Sequence, residues 1–287
     1  METVTLAAGD WEARAAPGLG GAVLDLTWRA RPVLRPTPEV ATDILETACF
    51  PLVPYANRIA DGRFSFGGRD VVLPTLPQFA PHALHGDGWR NAWTVLSRDE
   101  GSVRMELEWR DDGGGWPWPW RAEQTVALTE DGLTIDLSIL NIGDAVMPAG
   151  LGLHPYFHRA AEARLTLAAT GVWLTDEREI PVRLAPPDAL IDWSEGAALA
   201  DAPFVDHAYA GWDGAALIDG EVSVILAAGA PARWAHVYAP QGAGFFCVEP
   251  VTHRPDALHA PQSEATGLVK LAPGETLAMS ASVSRAA

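Results

Sequence analysis

Glu249 lies within Phe245-Phe246-Cys247-Val248-Glu249-Pro250-Val251, a run so apolar that an ionised carboxylate in it is costly without partners. It is either half of a core ion pair, with Arg58 as one available partner, or a functional group with a perturbed pKa. His154 has a comparable setting in Gly152-Leu153-His154-Pro155-Tyr156-Phe157. A histidine there is either a satisfied core residue or a catalyst titrating near neutrality. A carboxylate and an imidazole are the side chains that general acid–base catalysis uses most. Three more segments hold polar side chains in surroundings built to keep them: Pro54-Tyr55-Ala56-Asn57-Arg58-Ile59, Leu84-His85-Gly86 and Phe204-Val205-Asp206-His207.

Other chemistries fit less well. The histidines include His82/His85 and His154/His158, but a helical zinc pair needs both rings on one face. Pro155 biases His154 away from helix, and His82-Ala83-Leu84-His85 has no Cys pair or Glu at a recognisable interval. No metal site is expected. Neither a Gly-rich phosphate loop nor a Gly-x-Ser-x-Gly elbow occurs, so a serine nucleophile is unsupported. Gly115-Trp116-Pro117-Trp118-Pro119-Trp120 has two readings. The indoles either form a sugar-stacking platform at a cleft rim or fill a gap between sheets.

The elements that must position these residues are strands. Val103, Met105, Leu107 and Trp109 alternate with Arg104, Glu106 and Glu108, as in a half-buried strand. Val126 and Leu128 lead through Glu130-Asp131-Gly132 into alternating Leu133, Ile135, Leu137 and Ile139, which predicts a β-hairpin. Leu277, Met279, Ala281 and Val283 alternate near the C-terminus, while Glu221–Ala227 and Phe245–Val251 read as buried strands. With 27 Gly and 23 Pro spread along the chain, long helices have little room. The pattern predicts a single all-β domain over residues 1–287, a sandwich.

Composition narrows the partners. Against 37 Asp and Glu stand 20 Lys and Arg, a net charge of −17 over 287 residues. Such a chain repels phosphate backbones and anionic lipid, so neither nucleic acid nor a membrane surface is expected. Cys49 and Cys247 sit among apolar residues and read as buried free thiols. The N-terminal residues lack a basic region and apolar run, and no stretch reaches the length of a membrane span. A cytoplasmic protein is expected.

Taken in order, the five polar segments resemble the aldose 1-epimerase (galactose mutarotase) family. Asn57-Arg58-Ile59-Ala60-Asp61-Gly62-Arg63-Phe64 is similar to the family's Asn-Arg-Ile-x-x-Gly-x-Phe. Leu84-His85-Gly86, His154-Pro155-Tyr156-Phe157, Asp206, and Glu249 followed by Pro255-Asp256-Ala257 continue the match across nearly the whole chain. The resemblance implies a galactose-mutarotase-like β-supersandwich that interconverts the anomers of a free aldohexose without a cofactor, as a monomer or homodimer. It implies that Glu249 is the general base, His154 the general acid, and Arg58, His85 and Asp206 ligands of sugar hydroxyls, with Asn57 a further binding candidate. A carboxylate near His154 is expected to keep that imidazole protonated. The sequence departs from the family pattern where His-Gly-Gly becomes His85-Gly86-Asp87 and Glu-Thr-Gln becomes Glu249-Pro250-Val251, which bears on sugar identity.

Three alternatives stay open at this level. A hexose-6-phosphate mutarotase of the same fold would need cleft cations, for which Arg63, Arg69 and Arg90 are available. A non-catalytic sugar-binding module would bind without accelerating anomer exchange. A glycoside hydrolase needs two facing carboxylates, nominally Glu249 and Asp206.

Overall fold

The computed structural model describes residues 2–111 and 113–286. Strand follows strand, and the only helical elements among these residues are 3-10 turns of three residues each. Two large antiparallel sheets dominate. One has nine strands, running from Thr94–Arg98 through Ser102–Trp109, Trp120–Thr129 and Gly132–Asn141 to Thr276–Arg285, and then to Val224–Ala228 and beyond. The other has eight, in which Val205–Ala210, Trp234–Ala239 and Phe245–Val251 lie side by side. Gly152–Leu153 and Tyr156–His158 both pair with Phe245–Val251.

The alternation in sequence is the alternation in burial. Trp120, Ala122, Val126 and Leu128 are buried on one side of their strand, while Arg121, Glu123 and Thr125 are only partly covered on the other. The predicted hairpin forms, with Thr129 opposite Gly132 and Glu130-Asp131 as its two-residue loop. Gly132 has φ +136°, and a Cβ there would come within 2.1 Å of the Val283 carbonyl oxygen, so no other residue fits. The strand predicted at Glu221–Ala227 starts later, at Val224, because Gly220 to Ser223 make a turn.

Trp116, Trp118 and Trp120 are gap fillers. All three are buried; Trp116 packs against Tyr55 and Phe64 at centroid distances of 5.3 Å, and Trp118 meets Phe66 edge-on at 5.6 Å. Trp116→Ala is therefore expected to lose about 3–5 kcal/mol in chemical denaturation while its sugar affinity stays near wild type. Lost sugar binding at unchanged stability would restore the platform reading. Cys49 and Cys247 are buried free thiols, and burial pushes Cys49 up to about 12.

Candidate active site

The eight-stranded sheet places the acidic residues. His236 pairs in register with Glu249 on the adjacent strand, and Asp206 with Tyr238 on the other side. Residues two apart share a face, so Asp206, His236 and Glu249 project from the same side of the sheet. His154 follows the short Gly152–Leu153 strand, its N–H donating to the Phe50 carbonyl at 3.0 Å. Its ring lies between those of Phe50 and Tyr156, at centroid distances of 4.7 and 4.6 Å.

Arg58 and His85 come from opposite strands of a two-stranded ribbon, Arg58–Ile59 with Ala83–Leu84 and the residue after it. Asn57 takes φ +60°, donates its N–H to His85 Nδ1 at 3.0 Å, and accepts the Arg58 N–H on Oδ1 at 2.8 Å. Because His85 Nδ1 is an acceptor, its proton is on Nε2. Asp256 fastens the same ribbon: its N–H donates to the Arg58 carbonyl, and its Oδ1 accepts the Ala60 N–H at 2.9 Å. Asn57, His85 and Asp256 all have positive φ, so backbone strain concentrates here.

Arg58, His85, His154, Asp206, His236 and Glu249 line one cavity of about 600 Å³. His154 Nε2 lies 3.3 Å from Glu249 Oε1. Glu249 Oε2 and His154 Nδ1 are buried without a hydrogen-bond partner among the described residues, an arrangement that a hydroxyl-rich ligand would satisfy. Burial pushes Glu249 up to about 8, against the opposing pull of His236. Burial, with the charge of His236 and Arg35, takes His154 down to about 3. Between those values the two groups together hold one proton.

Asp206 behaves differently. Burial alone would raise it, but the His236 hydrogen bond and the His236 and Arg58 charges hold it well below the usual carboxylate range. Its Oδ1 meets His236 Nε2 at 2.5 Å and its Oδ2 meets Arg58 at 3.3 Å. Burial opposes a charge on His236 too, yet Asp206 and Glu249 raise it above its ordinary value. Arg58 also pairs with Glu179 from the 176–180 turn.

A family model for aldose 1-epimerase matches residues 2–284. The chain belongs to the aldose 1-epimerase family. Over 271 residues it is 35% identical to the uncharacterized protein YphB of Escherichia coli K12, covering 89% of this chain and 90% of that one. It is 29% identical over 136 residues to the aldose 1-epimerase of the same organism, covering 44% of this chain and 38% of that enzyme. A solved Escherichia coli K12 structure, described as a candidate aldose 1-epimerase, superposes with TM-score 0.89 and 31% identity over 99% of this chain and 98% of its own. The galactose mutarotase-like fold expected from the sequence is present.

Within this family member, all six residues singled out from sequence (Asn57, Arg58, His85, His154, Asp206 and Glu249) line the one cavity. One expectation needs correction. His154 was expected to be held protonated by a neighbouring carboxylate, but Glu249 is itself deeply buried and raised, so it supplies little negative charge near neutrality. The imidazole favoured in its charged form is His236, which sequence reasoning did not single out. Its only trace was alternation in Trp234-Ala235-His236-Val237-Tyr238, a pattern any strand shows. Glu179 was also missed, because it stands in an exposed turn with no motif. The departure at Asp87 is structural: this buried carboxylate accepts the Trp116 N–H at 3.1 Å and pairs with Arg90 at 2.7 Å, outside the cavity.

Proposed function

We propose that this protein is a mutarotase that interconverts the α and β anomers of a free aldohexose, acting as one domain in the cytoplasm. The observation that carries the reading is the Glu249–His154 contact at 3.3 Å, with one atom on each side chain unpartnered among the described residues, beside a cavity lined by the polar side chains of Asn57, Arg58, His85, Asp206 and His236. The pair gives and takes one proton. Carboxylate and imidazolium, the working form, have the same proton count as the resting acid and neutral imidazole. In the forward step Glu249 takes the proton of the anomeric hydroxyl while His154 protonates the ring oxygen, and the C1–O5 bond opens. Rotation about C1–C2 and the reverse transfers close the ring on the other face. Positioned groups of this kind contribute roughly 10²–10⁴-fold each. His85 Nε2–H and Arg58 donate to hydroxyls, and Asp206 accepts.

The cavity's charges favour a free sugar over a phosphorylated one. Arg63, Arg69 and Arg90 do not line it. The arginines that do are already engaged: Arg35 with the Thr47 and Leu45 carbonyls, Arg58 with Asp206 and Glu179, and Arg178 with Asp61. A hydrolase would need the ionised Asp206 as a free nucleophile or base opposite Glu249, and the reading is disfavoured because both Asp206 oxygens are held, Oδ1 by His236 and Oδ2 by Arg58.

Polarimetry of freshly dissolved α-anomers of several aldoses tests the proposal. The optical rotation is expected to relax faster with the protein than without it, for glucose more than for glucose 6-phosphate. Sugar binding with no acceleration would assign a binding module instead.

A further inference from the structure

His236 has no role in the proton transfers just described, yet it stands in their midst. It is cross-strand from Glu249, and its Nε2 lies 2.5 Å from Asp206 Oδ1. Asn57 Nδ2 approaches the same ring at 3.4 Å. Paired side chains on adjacent strands have Cβ atoms about 4.5–5.5 Å apart. That pairing puts the His236 ring close enough for its charge to lower the proton affinity of Glu249, and a positive charge within about 4–6 Å of a carboxylate does so by about ten- to a thousandfold.

We propose that His236, held as an imidazolium by Asp206, is the fixed cation that sets the proton affinity of the Glu249–His154 pair. His236 is thus a positioning residue acting through Glu249, and Asp206 serves the reaction through it as well as through sugar contact. Without this cation, Glu249, buried among apolar side chains, would grip its proton too tightly to exchange it with a sugar near neutral pH. The charged or titratable groups facing His236 are Asp206 and His207 from one neighbouring strand, Glu249 from the other, and Arg58, His85 and His154 across the cavity. Of these, His85, His154 and His207 are pressed toward neutrality and Glu249 is raised, chiefly by burial, so Asp206 is the anion and Arg58 the second cation. Around Glu249 the thiols Cys49 and Cys247 and the Tyr156 phenol are raised by burial and do not titrate in this window.

The inference rests on Glu249 being the base, and the test separates the two. The pH dependence of kcat/KM, which reports the free enzyme, is measured for wild type, His236→Gln, and the double variant Asp206→Asn/His236→Gln. The Glu249 carboxyl is followed in parallel by NMR of ¹³C-glutamate-labelled protein, assigned through Glu249→Gln. His236→Gln leaves the Asp206 anion uncompensated on that side, so the alkaline limb and the carboxyl titration both move up by about one unit or more. The double variant removes both charges, and both readouts return toward wild type. Thermal melts of each variant confirm the fold, and His236→Asn replaces Gln if that variant is unfolded. An unmoved carboxyl titration in the single variant overturns the role of His236; no return in the double overturns the opposing effect of Asp206 on Glu249. An alkaline limb that survives in Glu249→Gln overturns the base assignment instead.

Discussion

Glu249→Gln is expected to lose about 10²–10⁴-fold in mutarotation while gaining thermal stability. The activity loss follows from chemistry: an amide does not accept the proton of the anomeric hydroxyl. The stability gain follows from linkage. Burial lifts Glu249 to about 8 in the folded protein, whereas in the unfolded chain it titrates as an ordinary carboxyl at about 4.3. Below the unfolded value both states keep the proton and nothing is lost. As pH rises from there through about 8, the unfolded chain has released its proton and the folded one has not, so stability drains away across that window. Gln has no proton to lose and escapes the penalty. The melting temperature of the variant should exceed that of wild type by more at pH 8 than at pH 5. Activity within about tenfold of wild type would remove Glu249 from the role of base. A stability difference independent of pH would mean that the carboxyl is not raised.

The two effects share one cause. A carboxylate that is a useful base near neutrality must be kept away from water, and the same desolvation is a cost to folding. The site carries further strain in Asn57, His85 and Asp256, whose backbones are left-handed although none is glycine. Each is held by a hydrogen bond from another segment: Asn57 by His85, His85 by its own N–H to the Asn57 carbonyl, and Asp256 by the Arg58 carbonyl.

Strand alternation made much of the sheet framework readable in the sequence, because side chains that point to opposite faces must differ in polarity when one face is buried. It misplaced the start of the strand read at Glu221–Ala227, where apolar Val222 sits in a turn and still becomes buried, so composition imitated three further residues of strand. The site was readable where a polar residue broke an apolar run, as Glu249 and His154 do. His236 broke its strand in the same manner, but lone strand histidines are common and nothing in its own segment names Asp206, 30 residues away, as its partner. Protonation states were the least readable layer. The sequence showed that a carboxylate and an imidazole would share an apolar setting; it did not show that burial would outweigh their attraction and leave the imidazole neutral.

That balance determines the pH profile. With Glu249 at about 8 and His154 at about 3, the pair holds its single proton throughout the interval between, and activity in wild type should be broad across neutrality and fall as pH rises through about 8. The limbs belong to the pair, not to either residue. An imidazolium of ordinary affinity would instead place the alkaline fall near 6.5. In His154→Ala the pair no longer exists. Glu249 alone must be ionised to act, so the alkaline fall disappears and a residual rate, lower by about 10²–10⁴-fold, rises with pH and levels off once the carboxyl is ionised. The measurement is kcat/KM for both proteins from pH 5 to pH 10, with the acid- and base-catalysed background subtracted at each point. An alkaline fall that persists unchanged in His154→Ala would take the acid role away from His154. His85, whose ring centroid lies 5.3 Å from that of His154 and whose Nε2 carries the proton, would be the next residue to replace.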